Sequence, residues 1–108
     1  MSLYLIGLGL NDEKDISLKA VEAMKSCDAV YVEFYTNLWH GDLKALENIV
    51  GKKIEVLHRE KVESEMLIEK AKEKKVALLI PGDPLSATTH LELVEMAKLE
   101  DIIVKIIH

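Results

Sequence analysis

The chain predicts an α/β fold of three layers, with a mainly parallel five-stranded sheet between helices on both faces. Three observations carry that prediction. Short apolar runs recur five times along the 108 residues, and segments with helical spacing lie between them. One run, residues 76–80 (Val-Ala-Leu-Leu-Ile), is apolar at every position and needs cover on both faces. Parallel strands joined by right-handed helical crossovers are the economical arrangement for such a series.

Leu3-Tyr4-Leu5-Ile6 reads as the first strand, closed by a glycine turn at Gly7-Leu8-Gly9. Ser17 then caps a helix with Leu18, Val21 and Met24 on one face and Lys19 and Glu22 outward. Ala29-Val30-Tyr31-Val32 is the second strand. Asp42 opens a second helix with a stripe of Leu43, Leu46, Ile49 and Val50, and Gly51 stands where a left-handed stop belongs. Residues 54–57 alternate like a more exposed strand. Residues 64–75 form a helix with Leu67, Ile68 and Ala71 inward, and Lys70, Lys72, Lys74 and Lys75 make its solvated end, where cations suit the dipole. The strand at 76–80 is central. Asp83 and Pro84 form an N-cap and first-turn pair for a helix carrying Ala87, Leu91, Val94 and Ala97 through Lys98. Residues 102–107 are the fifth, buried strand.

Hydrophobic residues make up 49% and charged ones 31%, with five Gly and two Pro, which excludes collagen-like, low-complexity and disordered classes. A single core must serve a chain this short. Fourteen Lys and Arg against nineteen Asp and Glu leave a net charge of −5, the wrong sign for non-specific nucleic-acid binding. One cysteine, Cys27, forms no internal disulfide and fits a reducing, cytoplasmic setting. The apolar run from Leu3 to Leu10 lacks a basic flank and meets Asp12-Glu13-Lys14-Asp15, unlike a signal peptide, and no run approaches the ~18 apolar residues of a membrane span.

Candidate chemistry gathers where strands end. Gly7-Leu8-Gly9 is either a simple tight turn or a close backbone approach to a ligand; the third glycine of a dinucleotide fingerprint would fall at Asp12, so a phosphate cradle is not supported. Pro81-Gly82-Asp83-Pro84 follows the central strand, where side chains reach the ligand crevice of an open α/β sheet. Asp83 is there either a ligand acceptor or a bare helix cap. Ala87-Thr88-Thr89-His90 crowds polar groups into a helix start, as general base and ligand donors or, more commonly, as local caps exposed to solvent. Glu33-Phe34-Tyr35-Thr36 leaves the second strand toward the same edge, either shaping a pocket or as an ordinary amphipathic strand exit. His40, His58, His90 and His108 fall on four elements without paired spacing, so no metal site is expected, and Cys27 reads as a buried structural thiol. Gly7, Gly9, Leu10, Gly82 and Asp83 are expected together at the C-terminal edge of the sheet, with the first and fourth strands as neighbours.

Taken together, Leu3 to Leu10, Asp15-Ile16-Ser17, Cys27-Asp28, Glu33-Phe34-Tyr35-Thr36, Arg59-Glu60, Pro81-Gly82-Asp83-Pro84-Leu85 and Ala87-Thr88-Thr89-His90 resemble the diphthine synthase family. That family is a branch of the tetrapyrrole (precorrin-like) methylase superfamily, which shares the GxG and GDP motifs. The resemblance implies methyl transfer from S-adenosylmethionine to the amino group of a modified histidine on translation elongation factor 2, in diphthamide biosynthesis. It implies cofactor contacts at Leu10, Asp83 and Ser86, with Gly7, Gly9 and Gly82 shaping the loops, and it assigns no catalytic base. Ser86 departs from the small aliphatic residue of the family, which leaves that contact to the main chain. Lys98-Leu99-Glu100-Asp101 departs from a glycine-containing helix stop. Family members continue past this length into a cofactor-touching loop and a second α/β domain, so residues 1–108 are expected to be an N-terminal domain with apolar surface near Leu10, Leu85 and His108, prone to self-association as a homodimer. The alternative is a non-catalytic α/β module binding a nucleotide or a regulatory partner, with Asp12, Glu13 and Asp15 as its acids.

Overall fold

The computed structural model describes residues 1–9, 12–36, 39–85 and 88–108, without the side chains of Thr88 and Thr89. Five parallel strands, β1 (Ser2–Gly9), β2 (Ala29–Val32), β3 (Ile54–Val56), β4 (Lys75–Pro81) and β5 (Ile103–Ile107), form one sheet in the order β3-β2-β4-β1-β5. The helices are α1 (Leu18–Ser26), α2 (Leu43–Val50), α3 (Arg59–Glu63), α4 (Met66–Ala71) and α5 (Thr88–Leu99), with a 3-10 turn at Glu13–Asp15.

Alternation along the two inner strands builds the layers. Leu3 and Leu5 of β1, with Val76, Leu78 and Ile80 of β4, pack on one face against Val62, Leu67, Ile68, Ala71, Leu93 and Ala97 from α3, α4 and α5. Tyr4, Ile6 and Leu8, with Ala77 and Leu79, pack on the other face against Ala20 and Met24 of α1 and Leu46 and Val50 of α2. The fully apolar run is central, as its composition requires.

Ser17 caps α1 by accepting from the Ala20 amide at 3.1 Å, and Asp42 caps α2 through the Lys44 and Ala45 amides. Gly51 closes α2 in the left-handed conformation. Other expectations are corrected. The glycine motif does not turn the chain: β1 runs on to Gly9 and shifts register between Gly7 and Gly9. The helix expected over 64–75 is only Met66–Ala71, and an unexpected short helix, Arg59–Glu63, precedes it; between them Ser64 is extended, bonds back to the Lys61 carbonyl and accepts from the Met66 amide. Asp83 and Pro84 do not open α5, which begins at Thr88; Asp83 closes a local turn by accepting from the Leu85 amide at 2.9 Å. β5 is an edge strand with Ile103 exposed, not a buried one. Leu18, Ile49 and Leu91, assigned to buried stripes, are exposed, while in α5 His90, Leu93 and Ala97 are buried and Val94 packs partly buried against the core.

Candidate functional site

The site is fixed by where the crossovers diverge. From β1 the chain passes to α1 on one face, and from the adjacent β4 it passes to α5 on the other, so a crevice opens between the C-terminal ends of these two strands. Both glycine motifs end there. The Gly82 amide donates to the Gly9 carbonyl at 2.9 Å, and these two residues form an isolated antiparallel bridge beyond the parallel ladder.

Two glycines in this crevice answer to different constraints. A Cβ on Gly7 would stand 2.8 Å from the Gly82 carbonyl oxygen and 3.0 Å from Cδ of Pro84, so the absence of a side chain lets the second loop lie directly over the first strand. Gly9 has φ +71°, and apart from its chain neighbours no described residue lies within 4 Å of where its Cβ would be. A ligand can therefore approach the main chain there.

Beside this opening stands Asp83, with its side chain 59% exposed. Its Oδ1 also lies 3.5 Å from Nδ1 of His108, so the end of β5 reaches the same edge. In the sequence His108 figures as an unpaired histidine and as a marker of expected apolar surface; its place beside Asp83 follows from β5 pairing with β1, which no local pattern encodes. Leu10 and Ser86, the other expected cofactor contacts, lie outside the described residues, as does Ala87.

The neighbouring part of the edge is built on a buried polar cluster. Glu33 directly follows β2, and its amide continues the ladder to the Leu79 carbonyl at 3.1 Å. Its carboxylate is fully buried, as is the ring of His90 on α5, and Nε2 of His90 lies 3.1 Å from Oε2 of Glu33. The Thr36 hydroxyl stands 2.7 Å from both carboxylate oxygens and donates to them. The expectation that His90 is solvent-exposed is thus corrected, and a sealed ring cannot take a proton from a substrate either. Glu33 is legible in the sequence as a charge ending an apolar run, but nothing local points to a partner 57 residues away.

Around this cluster, Phe34 and Trp39 stack with centroids 5.8 Å apart, and the Arg59 guanidinium lies 5.1 Å over the Tyr35 ring. Glu13 accepts from the Asp42 amide at 2.8 Å, which holds its carboxyl below the usual range and ties the turn after β1 to the start of α2. Cys27 is buried between α1 and β2, and desolvation pushes its thiol up despite the charge of Lys52 nearby, so it is a structural thiol. Among the described residues, no three His, Cys, Asp or Glu side chains converge as a metal site, and no helix is long and apolar enough to cross a membrane.

Residues 2–108 match the family model for Tetrapyrrole (Corrin/Porphyrin) Methylases. The chain belongs to this methylase family. It is 50% identical over 108 residues to the diphthine synthase of Methanothermobacter thermautotrophicus, and 47% identical over 112 residues to the diphthine methyl ester synthase of Dictyostelium discoideum. These matches take in 98% and 100% of the chain but 41% of each relative, so it spans about two fifths of their length. Among solved structures, a crystal structure of diphthine synthase superposes with a TM-score of 0.95 at 44% identity, over all of this chain and 44% of that one. The parallel sheet and its helical layers are those of that methylase structure.

Proposed function

We propose that residues 1–108 are the N-terminal α/β domain of a two-domain diphthine synthase. In this reading the whole protein transfers methyl groups from S-adenosylmethionine to the amino group of the modified histidine of translation elongation factor 2, in the cytoplasm and as a homodimer. The relatives' names support the reaction class. The observation that carries the site is the junction of Gly9 with Gly82 at the crevice between β1 and β4.

The residues present suit such a cofactor. Gly9 leaves its main chain open to close approach, and the exposed Asp83 carboxylate beside it accepts hydrogen bonds from hydroxyl or ammonium groups. Leu10, Asp83 and Ser86 are the contacts assigned to the cofactor, and Gly7, Gly9 and Gly82 set the loop shapes. When bound, S-adenosylmethionine supplies a methyl group already activated on a sulfonium centre. The chain's share of catalysis is then alignment: a fixed platform that leaves the acceptor lone pair one line of approach. The group that takes the acceptor's proton is not His90, which is sealed inside the domain.

The alternative, a metal-dependent or regulatory binding module, would use Asp12, Glu13 and Asp15 together. Instead Asp12 caps the Lys14 amide at 3.0 Å and Glu13 is bonded to Asp42.

Asp83→Asn in the intact protein tests the reading. The amide oxygen still accepts from Leu85, so the turn and the melting temperature should persist, while loss of a charge-assisted bond worth about 1.5–3 kcal/mol should weaken cofactor binding roughly ten-fold to over a hundred-fold by titration calorimetry. Unchanged affinity would make Asp83 structural. Transfer of label from S-adenosylmethionine to elongation factor 2 carrying the precursor side chain tests the acceptor. Because the Dictyostelium relative is named for a methyl ester, the product should be analysed for both nitrogen and carboxylate methylation.

A further inference from the structure

The Glu33 and His90 pair does no chemistry on a substrate, yet it is a costly feature for so small a core. A buried ion or hydrogen-bonded pair gains little over well-packed apolar side chains of the same volume, and stripping one partner leaves an uncompensated polar group. Its location gives it a use. Glu33 is fixed to β4 by its amide bond to Leu79, two residues before Pro81. His90 sits in the first turn of α5, and residues 82–87, which include Asp83 and Ser86, run between the two.

Main chain and side chains therefore close a ring: β4, the chain from Gly82 to the start of α5, His90, Glu33, and back to β4 through the hydrogen bond to Leu79. The same loop is held at its near end by Gly82 bonding to Gly9. Thr36 adds a third tie by donating to Glu33, which fixes the carboxylate's orientation. With Nε2 carrying the hydrogen toward Glu33, Nδ1 is left as a buried lone pair without a partner among the described residues, so the ring gains its one strong bond only in this orientation.

We propose that Glu33 and His90 are positioning residues for the cofactor loop. They clamp the start of α5 to the end of β2, which holds Asp83, on the stretch between β4 and α5, in one position toward the cofactor. This rests on the function proposed above and goes beyond it by giving a role to residues that touch neither cofactor nor acceptor.

The test uses the intact protein with Glu33→Gln and the apolar pair Glu33→Leu with His90→Phe. Glu33→Gln should raise KM and Kd for S-adenosylmethionine at least ten-fold while kcat at saturation falls less than three-fold, and should speed amide hydrogen exchange within residues 82–90. The double variant should recover the wild-type melting temperature through packing but not the cofactor affinity. Wild-type affinity in the double variant would overturn the proposal by making the pair purely structural. Amide exchange tests the clamp without any ligand: unchanged protection of residues 82–90 in Glu33→Gln overturns it even if the wild-type protein binds no S-adenosylmethionine, an outcome that would instead overturn the proposed function.

Discussion

The two ends of the sheet are built on opposite principles. Where the strands begin, polar groups tie backbone to backbone. Asp28 donates its amide to the Lys75 carbonyl at 2.8 Å and accepts from the Lys75 amide at 2.9 Å, joining the starts of β2 and β4. Lys52 donates to the carbonyls of Met24, Lys25 and Cys27, crowning the negative end of α1. A groove of about 530 Å³ opens at this end, lined by Met1, Ser2, Tyr4, Asp28, Lys75 and Lys105, but its Asp28 and Lys75 are already engaged with each other. Where the strands finish, main chain is left open at Gly9, a carboxylate is exposed at Asp83, and Glu33 and His90 are buried as a pair. The end proposed to hold the cofactor differs from the other in leaving main chain and a carboxylate exposed.

If this division is real, substitutions at the two ends should separate stability from binding. Gly7→Ala is the largest expected effect and should disturb both. Its Cβ would meet a backbone oxygen at 2.8 Å, so the Gly82 loop must move away from β1. Overpacking of this kind costs about 1–3 kcal/mol, which for a domain this size lowers Tm by roughly 5–15 °C. Cofactor affinity should fall as well. Full affinity in a folded Gly7→Ala protein would separate the two glycine loops from the site.

Lys52→Met should act at the other end alone. The half-buried ammonium is partly screened by solvent, so its loss should cost about 1 kcal/mol, measured by urea unfolding, with no change in cofactor Kd. A loss of binding in this variant would show that the two ends are coupled through α1.

What the sequence disclosed follows the same division. The strands, the α1 and α2 caps and the central place of residues 76–80 were legible because each depends on local spacing. The glycine crevice was legible because two short motifs end adjacent strands. The short helix at Arg59–Glu63 was not, since its five residues carry too little periodicity to stand apart from the serine-marked helix start that follows. The cap assigned to Asp83 failed because Pro84 is buried over Gly7 rather than leading a helix, a long-range packing preference. The pairing of Glu33 with His90 depends on which strands and helices become neighbours, and no window of sequence contains it.

The smallest expected effect belongs to Asp101, at the end where strands begin. Residues 98–101 end α5 without a glycine, and the consequence is visible in the backbone: Asp101 has φ +59°, the only described non-glycine residue in the left-handed region. The turn itself is intact. The Ile102 amide donates to the Ala97 carbonyl at 2.9 Å and the Asp101 amide to Lys98 at 3.2 Å, a helix ending that glycine satisfies without steric cost. Aspartate tolerates the conformation better than most residues, and glycine brings extra freedom to the unfolded chain, so the two effects partly offset. Asp101→Gly should therefore stabilise the protein by about 0.5–1 kcal/mol, raising Tm by a few degrees, and leave cofactor binding untouched. A destabilised variant would mean that the aspartate side chain contributes more at this turn than its backbone strain costs. A change in affinity would instead break the separation between the two ends of the sheet, since Asp101 precedes β5 while His108 and Asp83 meet beyond its far end.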